Sequence, residues 1–144
     1  MNDIRVKYHA DITELCRVEG KKSDWIDLRS AEDIYMKAGE FRYISLGVSI
    51  QLPDGYEAIV APRSSTFKNY GIVMANSIGV IDGSYCGDDD IWCFPAYAVR
   101  DTHITFNARI AQFRLLWHQQ NADIVRVEKL GNPSRGGYGS TGIF

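Results

Sequence analysis

From residue 44 to residue 52 the chain alternates, with Ile44, Leu46, Val48, Ile50 and Leu52 separated by Ser45, Gly47, Ser49 and Gln51. A period of two suits a half-buried strand, and Pro53-Asp54-Gly55 ends it. A second run, Tyr56 to Ala61, follows at hairpin distance and stops at Pro62, which cannot donate to a ladder and biases Ala61 toward extended geometry. Short apolar runs continue through Ile72-Val73-Met74, Ile91-Trp92-Cys93-Phe94, His103-Ile104-Thr105-Phe106, Ile110 to Trp117 and Ile124-Val125-Arg126-Val127, all separated by turn residues. Short strands at this spacing predict an all-β sandwich or barrel. Helix signals are few: Ser65 to Tyr70 predicts one or two turns capped by a hydroxyl, and Ile12 to Val18 another short helix.

Two segments stand apart from this rhythm. Gly79-Val80-Ile81-Asp82-Gly83-Ser84-Tyr85-Cys86-Gly87 reads as a strand-turn-strand in which Gly83-Ser84 makes the reversal, with a carboxylate and an aromatic at its centre. Beyond Leu130 the chain becomes rich in Gly, Ser and Asn and has too little apolar surface to pack by itself, so this tail is expected to be mobile until something orders it. With no repeat and no linker, residues 1–144 are expected to form one domain, with 129–144 a flexible C-terminal lid segment.

Composition narrows the partners. The chain has 144 residues, 16 Lys and Arg against 18 Asp and Glu, and a formal net charge of −2. Such a balance does not draw a protein to a polyanion, so nucleic acid is not an expected partner and any phosphate must be held by a few local cations. Three cysteines, Cys16, Cys86 and Cys93, offer neither the even count of a disulfide framework nor the paired spacing of a zinc site, which suits a reducing, cytoplasmic setting. No apolar run has the length of a membrane span, and the first residues lack the long apolar core of a signal peptide. A soluble, unexported protein with no membrane partner is expected.

Five places combine polar chemistry with backbone freedom. Asp27, within Trp25-Ile26-Asp27-Leu28, is an acid among bulky apolar residues and reads as a turn or cap Asp unless something recruits it. Pro62-Arg63-Ser64-Ser65 sets a fork-shaped cation and hydroxyls beside a short helix, either a phosphate grip or a plain loop with a surface Arg and a Ser cap. The third place is the Gly79 to Gly87 segment, preceded by Asn76-Ser77. In Arg109-Ile110-Ala111-Gln112, alternation puts Arg109 and Ala111 on one face and Ile110 and Gln112 on the other; a Gln on a buried face is either a satisfied core amide or a ligand for water or phosphate. The fifth is the glycine-rich tail, where Arg135 offers charge, Tyr138 a stacking surface and Ser140-Thr141 hydroxyls on a chain able to close as a lid. Asp88-Asp89-Asp90 reads as a solvated turn, since adjacent carboxylates on a strand point to opposite faces.

In this order the five segments resemble the motifs of the trimeric dUTP diphosphatases (dUTPases), over nearly the whole chain from Trp25 to Gly142. Asp24-Trp25-Ile26-Asp27-Leu28-Arg29, Ala61-Pro62-Arg63-Ser64-Ser65-Thr66 and Phe94-Pro95-Ala96-Tyr97 are especially similar to those of Gram-positive bacteria and their phages. The resemblance implies a jelly-roll-like β-barrel and a homotrimer whose active sites are shared between subunits. It implies hydrolysis of dUTP to dUMP and pyrophosphate by in-line attack of water at the α-phosphorus, which limits uracil in DNA and supplies dUMP for dTMP synthesis. Asp82 would hold and activate the water, and Tyr85 would sit under the deoxyribose and exclude a 2′-hydroxyl. Asn76, with the backbone at Gly79 and Ile81, would read uracil. Arg63, Ser64, Ser65 and Gln112 would engage the phosphates, and Arg135, Tyr138, Gly139, Ser140 and Thr141 would close over them from another subunit. The implied cofactor is Mg²⁺, held mainly by triphosphate oxygens with Asp27 nearby through water.

The sequence departs from the commoner family pattern at several places. Asp24-Trp25 replaces a frequent Ala-Gly, Ser65 a frequent Gly, and Cys86 a cation or amide. Arg135-Gly136-Gly137-Tyr138 is two residues tighter than usual, with Tyr138 where Phe commonly stacks on the base; Trp92 or Phe94 could supply part of that stacking surface instead, the plainer reading being that both lie in the core. A dCTP deaminase shares the fold, but needs a Glu on the strand after the hairpin, and Ile91 to Tyr97 has none. A regulatory, dUTPase-like binding protein that docks on a repressor-type partner, as a phage-derived chain could, is the other reading.

Overall fold

The computed structural model describes residues 3–16, 24–139 and 141–144. Eleven strands and one short helix occur among them, in four antiparallel sheets. Strand β1 (Arg5–Tyr8) pairs with β5 (Val48–Gln51), and β3 (Ile34–Met36) with β10 (Thr102–Ile104). A three-stranded sheet runs β4 (Phe41–Ser45), β9 (Cys93–Ala98), β7 (Ile72–Met74). The four-stranded sheet has the order β2 (Ile26–Arg29), β11 (Arg109–Trp117), β6 (Tyr56–Pro62), β8 (Gly79–Ile81), and α1 (Thr66–Tyr70) follows β6. The expected all-β class is therefore observed, with no sheet among the described residues closing into a barrel.

Between the sheets lies one core. Leu28, Ile44, Val48, Ala58, Phe94, Ile104, Ile110 and Phe113 are fully enclosed. Trp92 meets Phe113 edge-on, with ring centroids 5.1 Å apart. Trp92 and Phe94 thus belong to the interior, which removes both as candidates for stacking on a ligand in this chain.

The alternation over 44–52 spans two strands in different sheets. Gly47 breaks it by taking a positive φ of 68°. Leu46, Gly47, Val48, Ser49 and Ile50 are consecutively buried there, because the corner is covered on both sides. A Cβ on Gly47 would lie 2.7 Å from that of Ala31. The hairpin expected between this run and Tyr56 to Ala61 does not form: Pro53 and Tyr56 close a turn, but β5 and β6 then pair with different neighbours.

Other expectations also yield to tertiary context. The first arm of the Gly79 to Gly87 segment is strand β8, but the return arm is irregular, because residues 87 to 90 fold into their own turn. The strand expected at Ile91 begins at Cys93, and the one at His103 is shifted to Thr102–Ile104. Residues 12–16 carry no helix, and the end of that expected helix lies outside the described residues. Ile124 to Val127 forms no strand, and Ile124, Val125 and Val127 are exposed, for no sheet edge of this chain receives them. From His118 onward every described residue is exposed.

Gly47→Ala should lower the stability of the folded protein by at least ~1–2 kcal/mol, from the left-handed backbone alone, with the Ala31 clash added. A urea titration followed by Trp fluorescence measures it, and an unchanged midpoint would mean that the corner is not held as described.

Candidate active site

The polar residues singled out above gather at two places on the four-stranded sheet. At one end of β6, Gln112 of β11 stands directly opposite Asp27 of β2 on one side and Ala61 of β6 on the other. Cross-strand partners share a face, so the Asp27 carboxylate and the Gln112 amide emerge together. A register shift between Arg109 and Ala111 puts this pair in place. It breaks the alternation expected for Arg109 to Gln112: Ile110 and Ala111 are both enclosed, and Gln112 is half-buried with its amide N–H donating to the Pro62 carbonyl at 3.1 Å.

Asp27 organises this end electrostatically. Its Oδ1 is 3.0 Å from Arg63 Nε and its Oδ2 3.2 Å from Arg109 Nη1. All three side chains remain partly exposed, so the pairs add little to stability. Their effect is orientation: with Nε engaged, the outer edge of the Arg63 guanidinium keeps its N–H groups for an incoming oxyanion. One carboxylate against two guanidiniums leaves a net positive locus. Arg109 was not among the expected site residues, although its place three before Gln112 on one strand was a usable signal.

The loop after β6 is set by a residue that the motif reading passed over. Thr66 is buried; its Oγ1 accepts from the Arg63 amide at 3.0 Å and donates to the Ile110 carbonyl at 2.8 Å. This ties Arg63 to β11. A Thr three residues after the Arg at a helix start is the local pattern that reveals such a bond. Ser65 occupies the N-cap position of α1 without a side-chain capping bond, contrary to the hydroxyl cap expected, while Ser64 is exposed beside it.

At the other end of β6 lies Asp82. Ala58 pairs with Ile81, so Asp82 follows beyond Ala58 toward Tyr56, and a Cβ on Gly83 would sit 3.2 Å from the Tyr56 carbonyl oxygen. The Ser84 amide donates to Asp82 Oδ1 at 2.8 Å, and the Tyr85 amide to the Asp82 carbonyl at 3.0 Å. Hydrogen bonds from the Ser84 side chain and backbone hold the Asp82 carboxyl below the usual carboxylate range, with His118 adding a smaller electrostatic push the same way. The Tyr85 hydroxyl reaches the Ile91 carbonyl at 3.3 Å, leaving the ring partly exposed. Strand β8 is the sheet's edge, so Gly79 to Ile81 pair with β6 on one side only, and Asn76 sits in the exposed turn before them.

The structure therefore joins Asp27, Arg63 and Gln112, with Ser64 and Ser65 adjacent, and separately joins Gly79, Ile81, Asp82 and Tyr85. It does not join the two groups. The ladder ends at Ile81 opposite Ala58, and Asp82 is one step further on, which sets it some six residues along β6 from Arg63, or about 20 Å at the rise of an extended strand. Arg135, Tyr138, Gly139 and Thr141 are exposed in the tail and touch neither group; Ser140 lies outside the described residues. No cluster of three or more His, Cys, Asp or Glu suited to a metal occurs among the described residues.

Comparison with known proteins gives a consistent picture. A family model described as dUTPase matches residues 13–142. The SPbeta prophage-derived deoxyuridine 5'-triphosphate nucleotidohydrolase YosS of Bacillus subtilis (strain 168) is 52% identical over 139 residues, covering 96% of this chain and 97% of its own. The Staphylococcus bacteriophage 80alpha dUTPase with dUPNHPP superposes with a TM-score of 0.77 over 99% of this chain and 100% of that one, at 22% identity. A dUTPase from phage phi11 of S. aureus, in which a structural Mg(II) ion is coordinated, gives 0.71 over 90% and 99%, at 17% identity. At these identities the two phage structures support the fold.

Since the folded-state pKa of Asp82 is lowered, its carboxylate persists to more acid pH than in the unfolded chain and is lost only as pH falls through the folded value. Ser84→Ala should move that pKa upward toward the ordinary Asp value, read from the Asp82 carboxyl carbon shift in an NMR titration; an unmoved titration would remove Ser84 as the cause.

Proposed function

The chain belongs to the dUTPase family and is an enzyme that converts dUTP to dUMP and pyrophosphate; from that premise we infer that it works as a homotrimer in which each active site is assembled from more than one chain. The separation along β6 carries this reading. A group that acts at the α-phosphorus and cations that hold the next phosphates must converge within a side chain's reach, because those phosphates are joined through single oxygens. In one chain Asp82 and Arg63 are about 20 Å apart in register, and a second copy can bring a second Arg63 to the first Asp82.

A bare apolar surface supports the association. Phe41, Tyr43, Val73 and Tyr97 are exposed on the outer face of the sheet β4-β9-β7, and no charged side chain interrupts them there. A contiguous aromatic and aliphatic patch of this kind is what an interaction surface presents.

In the shared site, Asp82 is the general base. Like any Asp of lowered or ordinary pKa it is ionised at neutral pH, and with Oδ1 held by the Ser84 amide, Oδ2 faces the water it orients and deprotonates. Arg63, Arg109, Ser64, Ser65 and Gln112 of a neighbouring chain bind the β- and γ-phosphates, and the guanidiniums stabilise the charge that builds on departing pyrophosphate. The unpaired edge of β8 presents backbone donors and acceptors at Gly79 and Ile81 to uracil, with Asn76 beside them. The Tyr85 ring lies under the deoxyribose. A site that demands a given hydrogen-bond pattern rejects cytosine by up to about 10⁴–10⁵-fold. The tail bearing Arg135, Tyr138, Gly139, Ser140 and Thr141 closes over the bound triphosphate from another chain, and its exposure along its described length suits a segment that awaits a ligand.

The donor set fits a magnesium ion that arrives with the triphosphate. Asp27 is the carboxylate in the cationic group, and both its oxygens are engaged by arginines, so it reaches such an ion through water at most. Bound there, the ion supplies neutralisation of phosphate charge.

Asp82→Asn should lower kcat by about 10²–10⁴ while dUTP binding persists, measured by pyrophosphate release and calorimetry in parallel. An unchanged rate would remove Asp82 from the base role.

A further inference from the structure

Between β8 and β9 the chain runs from Asp82 to Trp92 without a ladder, and its hydrogen bonds are largely internal. The Asp82–Tyr85 turn closes on itself, and a second turn is closed by the Gly87 amide on Asp90 Oδ2 at 2.7 Å and by the Asp90 amide on the Gly87 carbonyl at 3.2 Å. Residues 82 to 89 are exposed, and packing into the core resumes only at Trp92. A cavity of about 200 Å³, lined by Arg5, Lys7, Ser49, Gln51, Cys86 and Asp88 among others, separates the loop from the β1–β5 pair.

One side-chain hydrogen bond crosses that gap, while the far end of the loop is fixed by backbone bonds, the Trp92 amide donating to the Val48 carbonyl at 2.9 Å and the Leu46 amide to the Trp92 carbonyl at 2.9 Å. Ser49, in the middle of β5 and 4% exposed, donates from Oγ to the Asp88 carbonyl at 3.0 Å. Among the described residues it is the only hydrogen bond from residues 82–90 to a side chain elsewhere; the companion ion pair of Lys7 with Asp88 is 3.8 Å long and solvent-exposed. Ser49 Oγ is also 2.8 Å from His9 Nε2. A serine hydroxyl has one hydrogen and a carbonyl can only accept, so that hydrogen goes to Asp88 and His9 must donate from Nε2. The chain of bonds therefore has one direction, His9 to Ser49 to Asp88.

We propose that Ser49 is a positioning residue for nucleotide selection: it pins the 87–90 turn, and through it sets Tyr85, three residues before Asp88, against the sugar. The proposal rests on the placement of Tyr85 under the deoxyribose given above. Ser49 touches no substrate. It acts because Tyr85 is held from both sides, by the Asp82 turn before it and by the Ser49-anchored turn after it, with the Tyr85 hydroxyl on Ile91 between. Once the anchor is removed, the Asp88 carbonyl, in an exposed loop, is solvated by water, so the loop loosens without unfolding the domain.

The test is steady-state kinetics of Ser49→Ala and His9→Ala on dUTP and UTP, with urea titration alongside. For Ser49→Ala the KM for dUTP should rise by about tenfold, the order of one lost hydrogen bond. Its preference for dUTP over UTP should shrink while kcat changes little. His9 is exposed and folding does not hinge on it, so His9→Ala should move the same two quantities in the same direction, by less. A Ser49→Ala protein with wild-type KM and wild-type dUTP preference overturns the tether, as does one that loses kcat at unchanged KM. Wild-type protein that accepts UTP as readily as dUTP would instead overturn the placement of Tyr85 and the proposal with it.

Discussion

The pairing of β6 on both its edges is the constraint from which the rest follows. Seven residues of β6 are bound to β11 from Pro62 to Tyr56, and three to β8. A strand so held is a ruler. Whatever is attached at its Pro62 end stays about 20 Å from whatever is attached near Tyr56, and no side-chain rearrangement closes that distance. Both groups of candidate site residues are carried by this ruler or its partners, so their separation is a property of backbone hydrogen bonding. The homotrimer proposed above would turn this separation to use, since a neighbouring copy could offer its Pro62 end to the Tyr56 end of the first.

Charge is divided in the same way. The Pro62 end is cationic, with Asp27 spread between Arg63 and Arg109, whereas the far end holds the ionised Asp82. Within one chain the separation keeps Asp82 from being neutralised by the arginines. In the shared site proposed above, the triphosphate would meet the guanidiniums and the water at the α-phosphorus would meet Asp82. The loop that carries Tyr85 is exposed over residues 82 to 89 and is joined to β5 by the Ser49–Asp88 hydrogen bond and by the backbone of Trp92.

Much of this was legible in the residues. The all-β class followed from short runs bounded by turn residues, and those at Tyr56 to Ala61 and Ile110 to Trp117 are strands in place. Asp27, Arg63 and Gln112 were named from motifs, and the register brings them together. What sequence could not convey is pairing over distance. The 44–52 alternation read as one strand because Gly47 fits a polar position as well as it fits a corner, and only the positive φ distinguishes them. The bulge beside Arg109 reverses which face Gln112 occupies, and nothing local announces it. Ile124 to Val127 has the composition of a strand and no edge in its own chain to join, so its β propensity is unfulfilled there. Ser49 looked like an outward polar residue of an alternating run, yet it is buried with two hydrogen-bond partners.

Sharing of the active site between chains is tested directly by subunit complementation. Arg63→Ala and Asp82→Asn proteins, each inactive by itself, would be mixed, dissociated in denaturant and reassembled, and pyrophosphate release from dUTP measured. A shared site predicts recovered activity, because a hybrid assembly contains sites with an intact Asp82 from one chain and an intact Arg63 from another. Hybrid assemblies that form and yet stay as inactive as the parents would mean that each chain must supply both residues to its own site, and would contradict the account.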